Sequence, residues 1–381
     1  MLITTTLFIF PLTAGPVGLM PAIQTCAQRA PTHNVTAEPG LDPVLRDLIV
    51  QVRAMGVTSR RFGMLDEWWT GPDINLGSES ICSITAALAA RAGMREAQED
   101  LLLAIGNCLN TTDPLDLAEC LEGLWENFAE QIGEARHIYA ARVDVCDLTG
   151  ENQFDPEIDP DDFLHPSDYA TGGGNPYYPL ETGMTWVYEK EEDGELERVT
   201  LRIEEGTRTL MGVECAIVHD IAELFEIDDD GRSRGDEEGE LIEETFDYLA
   251  VDKDLNVWYF GEDTWEVEDG LIVNTDGRWL AGEDFGKPGI LMHADPIVGT
   301  TYRQEFALDE AEDVATMLSL TELVMGPLGP FDNCRKTEDF SPLEPGKSEF
   351  KFFADGIGLV REEDPDDPES GLDLVDFYVE K

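Results

Sequence analysis

Positive charge is the scarcest feature of this sequence. Only 25 Lys and Arg stand against 81 Asp and Glu, for a net charge of −56. Such a surface repels phosphate backbones and anionic headgroups, so no nucleic-acid partner is expected and an anionic lipid surface is a poor one. It suits solubility, cation binding or a saline milieu. Histidine is scarce too, five in 381 residues, and no CxxC pair or HxxxH spacing occurs, so no zinc site is expected. After the first twenty residues no run is long and apolar enough to cross a bilayer, which excludes a transmembrane helix. A phosphate loop is also missing. The triple glycine Gly172–Gly174 is followed by Asn175-Pro176, and the triplet Gly346-Lys347-Ser348 has Ser341 where the loop needs its first glycine.

What is present begins with a leader. Met1 to Met20 is mostly apolar and uncharged, and Thr25-Cys26-Ala27 supplies small residues after it. Residues 1–27 read as a signal peptide cut near Ala27, with a lipidated Cys26 as the rival reading. Six cysteines then remain, Cys82, Cys108, Cys120, Cys146, Cys215 and Cys334. An even count in an exported chain argues for disulfides and for an extracytoplasmic location, periplasmic or secreted. Residues 28–42 form a tether, and a helix begins behind Asp42 at Pro43, with Val44, Leu45, Leu48, Ile49 and Val52 as its apolar face and Gly56 as its stop. The pair Trp68-Trp69 reads as a lid over a core, with a ligand platform as the rival reading.

Residues 43–150 are expected to be a helical domain. Ile81, Ile84, Leu88, Leu101, Leu102 and Ile105 recur at helical spacing, as do Leu117, Leu121, Leu124, Trp125, Phe128, Ile132 and Val145. Between the two runs, Asp113 is an N-cap with Pro114 at the first helical position. Cys82 lies 26 residues before Cys108, and Cys146 lies 26 residues after Cys120. Residues equidistant from the turn of an antiparallel pair face each other, so nested bridges Cys108–Cys120 and Cys82–Cys146 are predicted. A Cys120–Cys146 bridge is excluded along one continuous helix, whose ends would stand roughly 39 Å apart against the ~5.5 Å a disulfide spans. Cys215 and Cys334 are left to pair with each other.

Residues 151–178, rich in Asp-Pro and Gly, read as a linker, and residues 179–381 as an antiparallel β domain. Strands are expected at Met184–Tyr188, Val199–Ile203, Val213–His219, Tyr302–Phe306, Val314–Leu320, Glu349–Phe353, Gly358–Val360 and Leu374–Val379. The densest aromatic cluster, Thr245–Asp263, is a hairpin turning at Asp252–Asn256. Glu223–Glu244 reads as an acidic hairpin or insertion. The predicted fold class is therefore α+β: a disulfide-stapled helical hairpin followed by a curved antiparallel sheet or half-barrel.

Catalytic signals are weak. Gly231-Arg232-Ser233-Arg234-Gly235 has the letters of a nucleophile elbow, but acidic triplets flank it where a strand and a helix are required. His219-Asp220 and His293-Ala294-Asp295 place imidazole near carboxylate in a chain where carboxylates are everywhere. No catalytic residue is assigned, and a hydrolase is kept only as an alternative. Arg303 and Glu305 share one face of a predicted strand, where they would line a cavity or, as the preferred reading, form a surface pair or a buried ion pair. Calcium is the sharper idea, through Asp252, Asp254 and Asn256 in the hairpin turn, or Asp228, Asp230 and Glu237 in a frame that starts at Glu226. Both depart from the complete EF-hand pattern.

The phrases FDPEIDP, NPYYPL, GMTWVYE, DKDLNVWYFGED, PGILM, GTTYRQEF, AEDVATMLSL, LEPGKSEFKFF and DGIGLV together resemble a family of exported bacterial proteins of uncharacterised function, over roughly Cys146 to Val360. GPFDNC and FFADGIGLV are similar to a wider group of envelope proteins and lipoproteins with a curved β-sheet. The resemblance implies an extracytoplasmic β domain and no catalytic residue. Leu255 stands where the family carries glycine in its turn. The expected function is non-enzymatic binding or structural work in the bacterial envelope. An apolar or mixed small ligand, or an envelope partner, would meet a concave face bearing Trp186, Trp258, Phe260 and Phe352. A calcium-stabilised adhesion protein is the alternative.

Overall fold

The structure is a computed structural model that describes residues 80–171, 174–192, 194–226, 239–368 and 371–380. The leader, the tether, the helix at Pro43, Trp68-Trp69, the elbow-like pentapeptide at Gly231 and the frame at Asp228, Asp230 and Glu237 lie outside the described residues. Chain contacts divide the molecule into two compact units that meet in sequence at Val143–Asp144.

The helical element is two antiparallel helices, α1 (Ile81–Cys108) and α2 (Pro114–Thr149). Alanine, the strongest helix former, fills the first turns of α1 at Ala86, Ala87, Ala89 and Ala90. Asp113 caps α2, its Oδ1 accepting from the Leu115 N–H at 2.8 Å. Met94, Ala97, Leu101 and Ile105 pack on Leu121, Trp125, Phe128 and Ile132, a spacing of three and four that lays one stripe on each helix. Ile81 and Leu88, counted in that stripe from their spacing, are exposed instead. The nested bridges form: Cys108 to Cys120 with Cα atoms 5.8 Å apart, and Cys82 to Cys146.

Among the described residues, two short 3-10 helices, Pro160–Asp162 and Pro166–Thr171, precede one 15-stranded antiparallel sheet. Its strands are β1 (Met184–Glu192), β2 (Glu195–Leu210), β3 (Val213–Glu226), β4 (Glu240–Val251), β5 (Val257–Glu268), β6 (Leu271–Asn274), β7 (Trp279–Leu280), β8 (Lys287–Met292), β9 (Thr301–Arg303), β10 (Glu305–Phe306), β11 (Val314–Gly326), β12 (Gly329–Phe340), β13 (Glu349–Ala354), β14 (Gly358–Glu363) and β15 (Gly371–Val379). The order is β10-β8-β5-β4-β3-β2-β1-β15-β14-β13-β12-β11-β9, with β6 and β7 attached to β5. First and last strands pair, Trp186 opposite Phe377. The two ends of the order, β9 and β10, are separated in sequence only by Gln304, whose N–H donates to the Asp313 carbonyl at 2.9 Å. The sheet is thereby a nearly closed barrel, which leaves little open edge.

The aromatic hairpin is β4 and β5, with Val251 opposite Val257. Leu255 in its turn has φ 68°, the left-handed conformation glycine adopts freely, and an Asn175 side chain donates to its carbonyl. A non-glycine residue there costs roughly 1–2 kcal/mol. Tyr302–Phe306 is not one strand, because it breaks at Gln304. The expected acidic insertion shrinks, since β3 runs to Glu226 and β4 starts at Glu240.

The Cys215–Cys334 bridge does not form: both thiols are free and buried. Cys215 lies on β3 and Cys334 on β12, six positions apart in the strand order. At ~4.8 Å per position that is on the order of 29 Å of arc along the curved sheet, so the two strands stand on separate parts of the ring and their cysteines are not neighbours. Elimination paired two cysteines that the topology separates.

Candidate functional site

Register decides which side chains face the barrel interior. On β2, Val199, Leu201 and Ile203 are buried, and Leu201 pairs with Trp186 of β1 and with Asp220 of β3. Asp220 in turn pairs with Thr245, Val218 with Asp247, and Asp247 with Glu262. Directly opposed residues share a face. One interior wall therefore carries Leu201, Val218, Asp220, Thr245, Asp247 and Glu262, while Phe246 and His219 look outward and stack at 4.2 Å.

Within this interior lies a narrow cavity of about 40 Å³, lined from strands around the ring: Trp186 and Tyr188, Leu201 and Ile203, Val218, Leu291, Phe353, Leu359 and the polar trio Gln304, Asp339 and Lys351. By volume it holds about three waters. Its aromatic wall is fixed by hydrogen bonds to one turn, since the Trp186 indole donates to the Ile357 carbonyl at 2.7 Å and the Tyr188 hydroxyl to the Leu359 carbonyl at 3.0 Å. At the polar end, the Gln304 amide donates to Asp339 Oδ2 at 3.0 Å. Lys351 Nζ stands 3.6 Å from Glu362, 3.7 Å from Asp339 and 3.9 Å from Glu349.

Further carboxyls extend around the same interior: Asp220, Glu243, Asp247, Glu262, Glu305 and Asp313 are all buried. Asp247 Oδ1 accepts from the Tyr259 hydroxyl at 2.7 Å, but its Oδ2 has no hydrogen-bond partner among the described residues, nor has Glu262 Oε1. A buried charge without partners neutralises itself. Burial pushes Asp247 and Asp313 each up to about 7. It also holds Asp220, Glu262 and Glu305 well above the usual carboxylate range, with neighbouring carboxylates adding to the shift. For Lys351 burial favours the neutral amine, but Glu362, Asp339 and Glu349 outweigh it and raise its pKa. Burial thus favours the protonated form of several interior acids, while Lys351 is held charged among Glu362, Asp339 and Glu349.

The expected site residues fall elsewhere. Asp252 uses both carboxylate oxygens on its own turn: Oδ1 accepts from the Asn256 N–H, and Oδ2 from the Asn256 amide and the Trp258 indole, at 2.8–2.9 Å. Asn256 Oδ1 accepts from the Ala294 N–H, and Asp254 is exposed. Of the four aromatics, Trp186 alone lines the cavity. Trp258 and Phe260 share the opposite face of β5 from Tyr259 and pack on Phe163, and Phe352 faces Lys336. His219 binds Glu244 at 2.9 Å on the outer face, away from Asp220, so the two make no dyad. His293 sits edge-on to Tyr302 at 4.6 Å. Arg303 and Glu305 are both buried, with the Arg303 guanidinium 5.0 Å from the Phe306 ring. Among the described residues the one group of three metal-capable side chains is Cys82, Cys146 and Glu151, and its two sulfurs are bridged to each other.

Sequence reasoning named Asp220 only as a neighbour of His219 and passed over Asp247, Asp339, Lys351 and Glu362. A usable signal was there, namely single charges inside aromatic strands, as in Phe246-Asp247-Tyr248 and Phe350-Lys351-Phe352.

No protein-family model matches the chain, and no curated protein is similar to it in sequence. A solved structure, that of a candidate lipoprotein from Parabacteroides distasonis, aligns over 54% of this chain and 99% of its own at 13% identity, with a TM-score of 0.28. That likeness is too slight to bear on fold or function. No helix among the described residues is long and apolar enough to cross a membrane.

Proposed function

We propose that this chain is an exported, non-enzymatic binding protein of the bacterial envelope, whose β domain takes a small ligand into its barrel. The observation that supports the reading is the interior cavity, lined by side chains from around the ring, with an aromatic wall and a Gln304–Asp339–Lys351 end. Apolar walls with a few convergent polar groups are the usual form of a small-ligand site. Two disulfides in one helix pair support export, because such bridges persist in oxidising compartments. Native mass spectrometry after incubation with envelope extracts tests the reading. A bound small molecule is expected, and protein that stays empty across broad extracts refutes it.

The alternative, a calcium-stabilised surface protein, rests on Asp252, Asp254 and Asn256. It is the weaker reading because both Asp252 oxygens already serve the turn. Melting with and without chelator separates the two.

A further inference from the structure

We infer that Ser167 is a nucleophilic serine that accepts an acyl group from a neutral ester, with His165 as its base and Glu214 positioning that base. The site stands outside the barrel cavity, and it goes beyond the binding reading. One acyl group taken per chain is a modification and needs no turnover.

The geometry is a hydrogen-bonded line of three side chains. Ser167 Oγ lies 2.8 Å from His165 Nδ1, and His165 Nε2 lies 2.6 Å from Glu214 Oε2. The backbone fixes the tautomer. The Ser167 N–H donates to Nδ1 at 3.1 Å, so Nδ1 carries a lone pair and the ring hydrogen on Nε2 donates to Glu214. The Ser167 hydroxyl therefore meets an acceptor, as a serine nucleophile, its base and an orienting carboxylate require. Capping of the short helix Pro166–Thr171 accounts for the Ser167 N–H contact alone. It does not account for Glu214, which β3 brings to the other ring nitrogen.

Both flanks of the pair are tied to the end of β4. The Leu164 N–H donates to the Val251 carbonyl at 2.9 Å, and the Val251 N–H donates to the Tyr169 hydroxyl at 3.0 Å. The preceding chain packs on the turn between β2 and β3, where a Cβ at Gly212 would stand 3.0 Å from Pro160. Such anchoring holds base and nucleophile in place before any reagent arrives. Ser167 is exposed, and the His165 and Glu214 side chains are 55% and 44% exposed, so an ester reaches Oγ. An open cleft lined by Pro156, Met211, Phe285 and Pro288 begins at that same turn and offers apolar surface to a carbon chain. The net charge of −56 repels an anionic acyl donor, which favours a neutral one.

In the step itself, Oγ adds to the ester carbonyl while its proton passes to His165 Nδ1. The C–O bond to the alcohol then breaks, the alcohol leaves with that proton, and the acyl group stays on Oγ. The test treats the full chain with p-nitrophenyl butyrate, following nitrophenolate release and locating the acyl group by peptide mass, with circular dichroism to check that each variant is folded. A butyryl group on Ser167 is expected, with a release rate that rises with pH through one proton step. Ser167→Ala should lose the adduct and slow release at least about tenfold. His165→Asn keeps a side-chain oxygen to cap the Ser167 N–H but cannot take the proton, so it should slow release as much and flatten the pH profile. Glu214→Gln keeps an acceptor for Nε2–H and should slow release several-fold with the pH rise retained. Butyryl groups on lysines alone, or undiminished release from Ser167→Ala, overturn the assignment. So does His165→Asn reacting as fast as wild type, which would make the ring a helix cap only.

Discussion

The buried acids predict that this protein loses stability as pH rises through neutrality. Asp247 is fully buried, with one oxygen on the Tyr259 hydroxyl and the other without a partner among the described residues. Its carboxyl is pushed up to about 7, and so is that of Asp313, against ~3.9 in an unfolded chain. Between those values the folded state holds protons that the unfolded state has released. Stability from such a group is fully present below about pH 4 and is lost as pH climbs through 7. Some three units at about 1.4 kcal/mol each make this roughly 4 kcal/mol per group, with a slope of at most about 1.4 kcal/mol per pH unit per proton. The assay is urea unfolding at pH 5, 6, 7 and 8, in salt high enough to screen the −56 surface. Ordinary surface carboxylates are already ionised over that range, so they do not contribute to the slope. Wild-type midpoints should fall with pH. Asp247→Asn keeps the acceptor for Tyr259 and cannot ionise, so its fall should be shallower by up to one proton. Midpoints that rise with pH, or a variant as steep as wild type, would refute the reasoning.

Other expectations can be checked separately. Replacing Cys108 and Cys120 by Ser opens a loop of sequence separation 12 and should cost the helix pair about 3 kcal/mol, read as a lower melting temperature by circular dichroism. Under native conditions Cys215 and Cys334 should resist alkylation and should both be labelled after denaturation without reductant, as peptide mapping will show; a bridged pair would stay unlabelled. Trp258→Phe removes the indole donor to Asp252 and should cost about 1–2 kcal/mol in chemical denaturation. Tyr259→Phe deprives the Asp247 carboxyl of the hydrogen bond that lowers its pKa, so the pH at which stability falls should move upward in the same urea series.

The acidic balance, the paired helical stripes and the mirrored cysteine spacing were enough to specify a stapled helix pair, because helical periodicity and disulfide reach are local rules. Alternation in the aromatic hairpin likewise announced strands. It did not say which face of a strand is inside. Phe246 and Tyr248 carry the hydrophobic signal of β4, yet Thr245 and Asp247 face the interior, because the opposing registers of β3 and β5 turn that side inward. The same limit misplaced the last two cysteines. Being left over says nothing of distance, and only the strand order put β3 and β12 on separate parts of the ring. A barrel interior is assembled from residues tens to hundreds of positions apart, as when Gln304 meets Asp339 and Trp186 meets Ile357. Period, cap and spacing belong to the chain read along its length, whereas the acid ring and its cavity exist only once closure of the sheet brings those faces together.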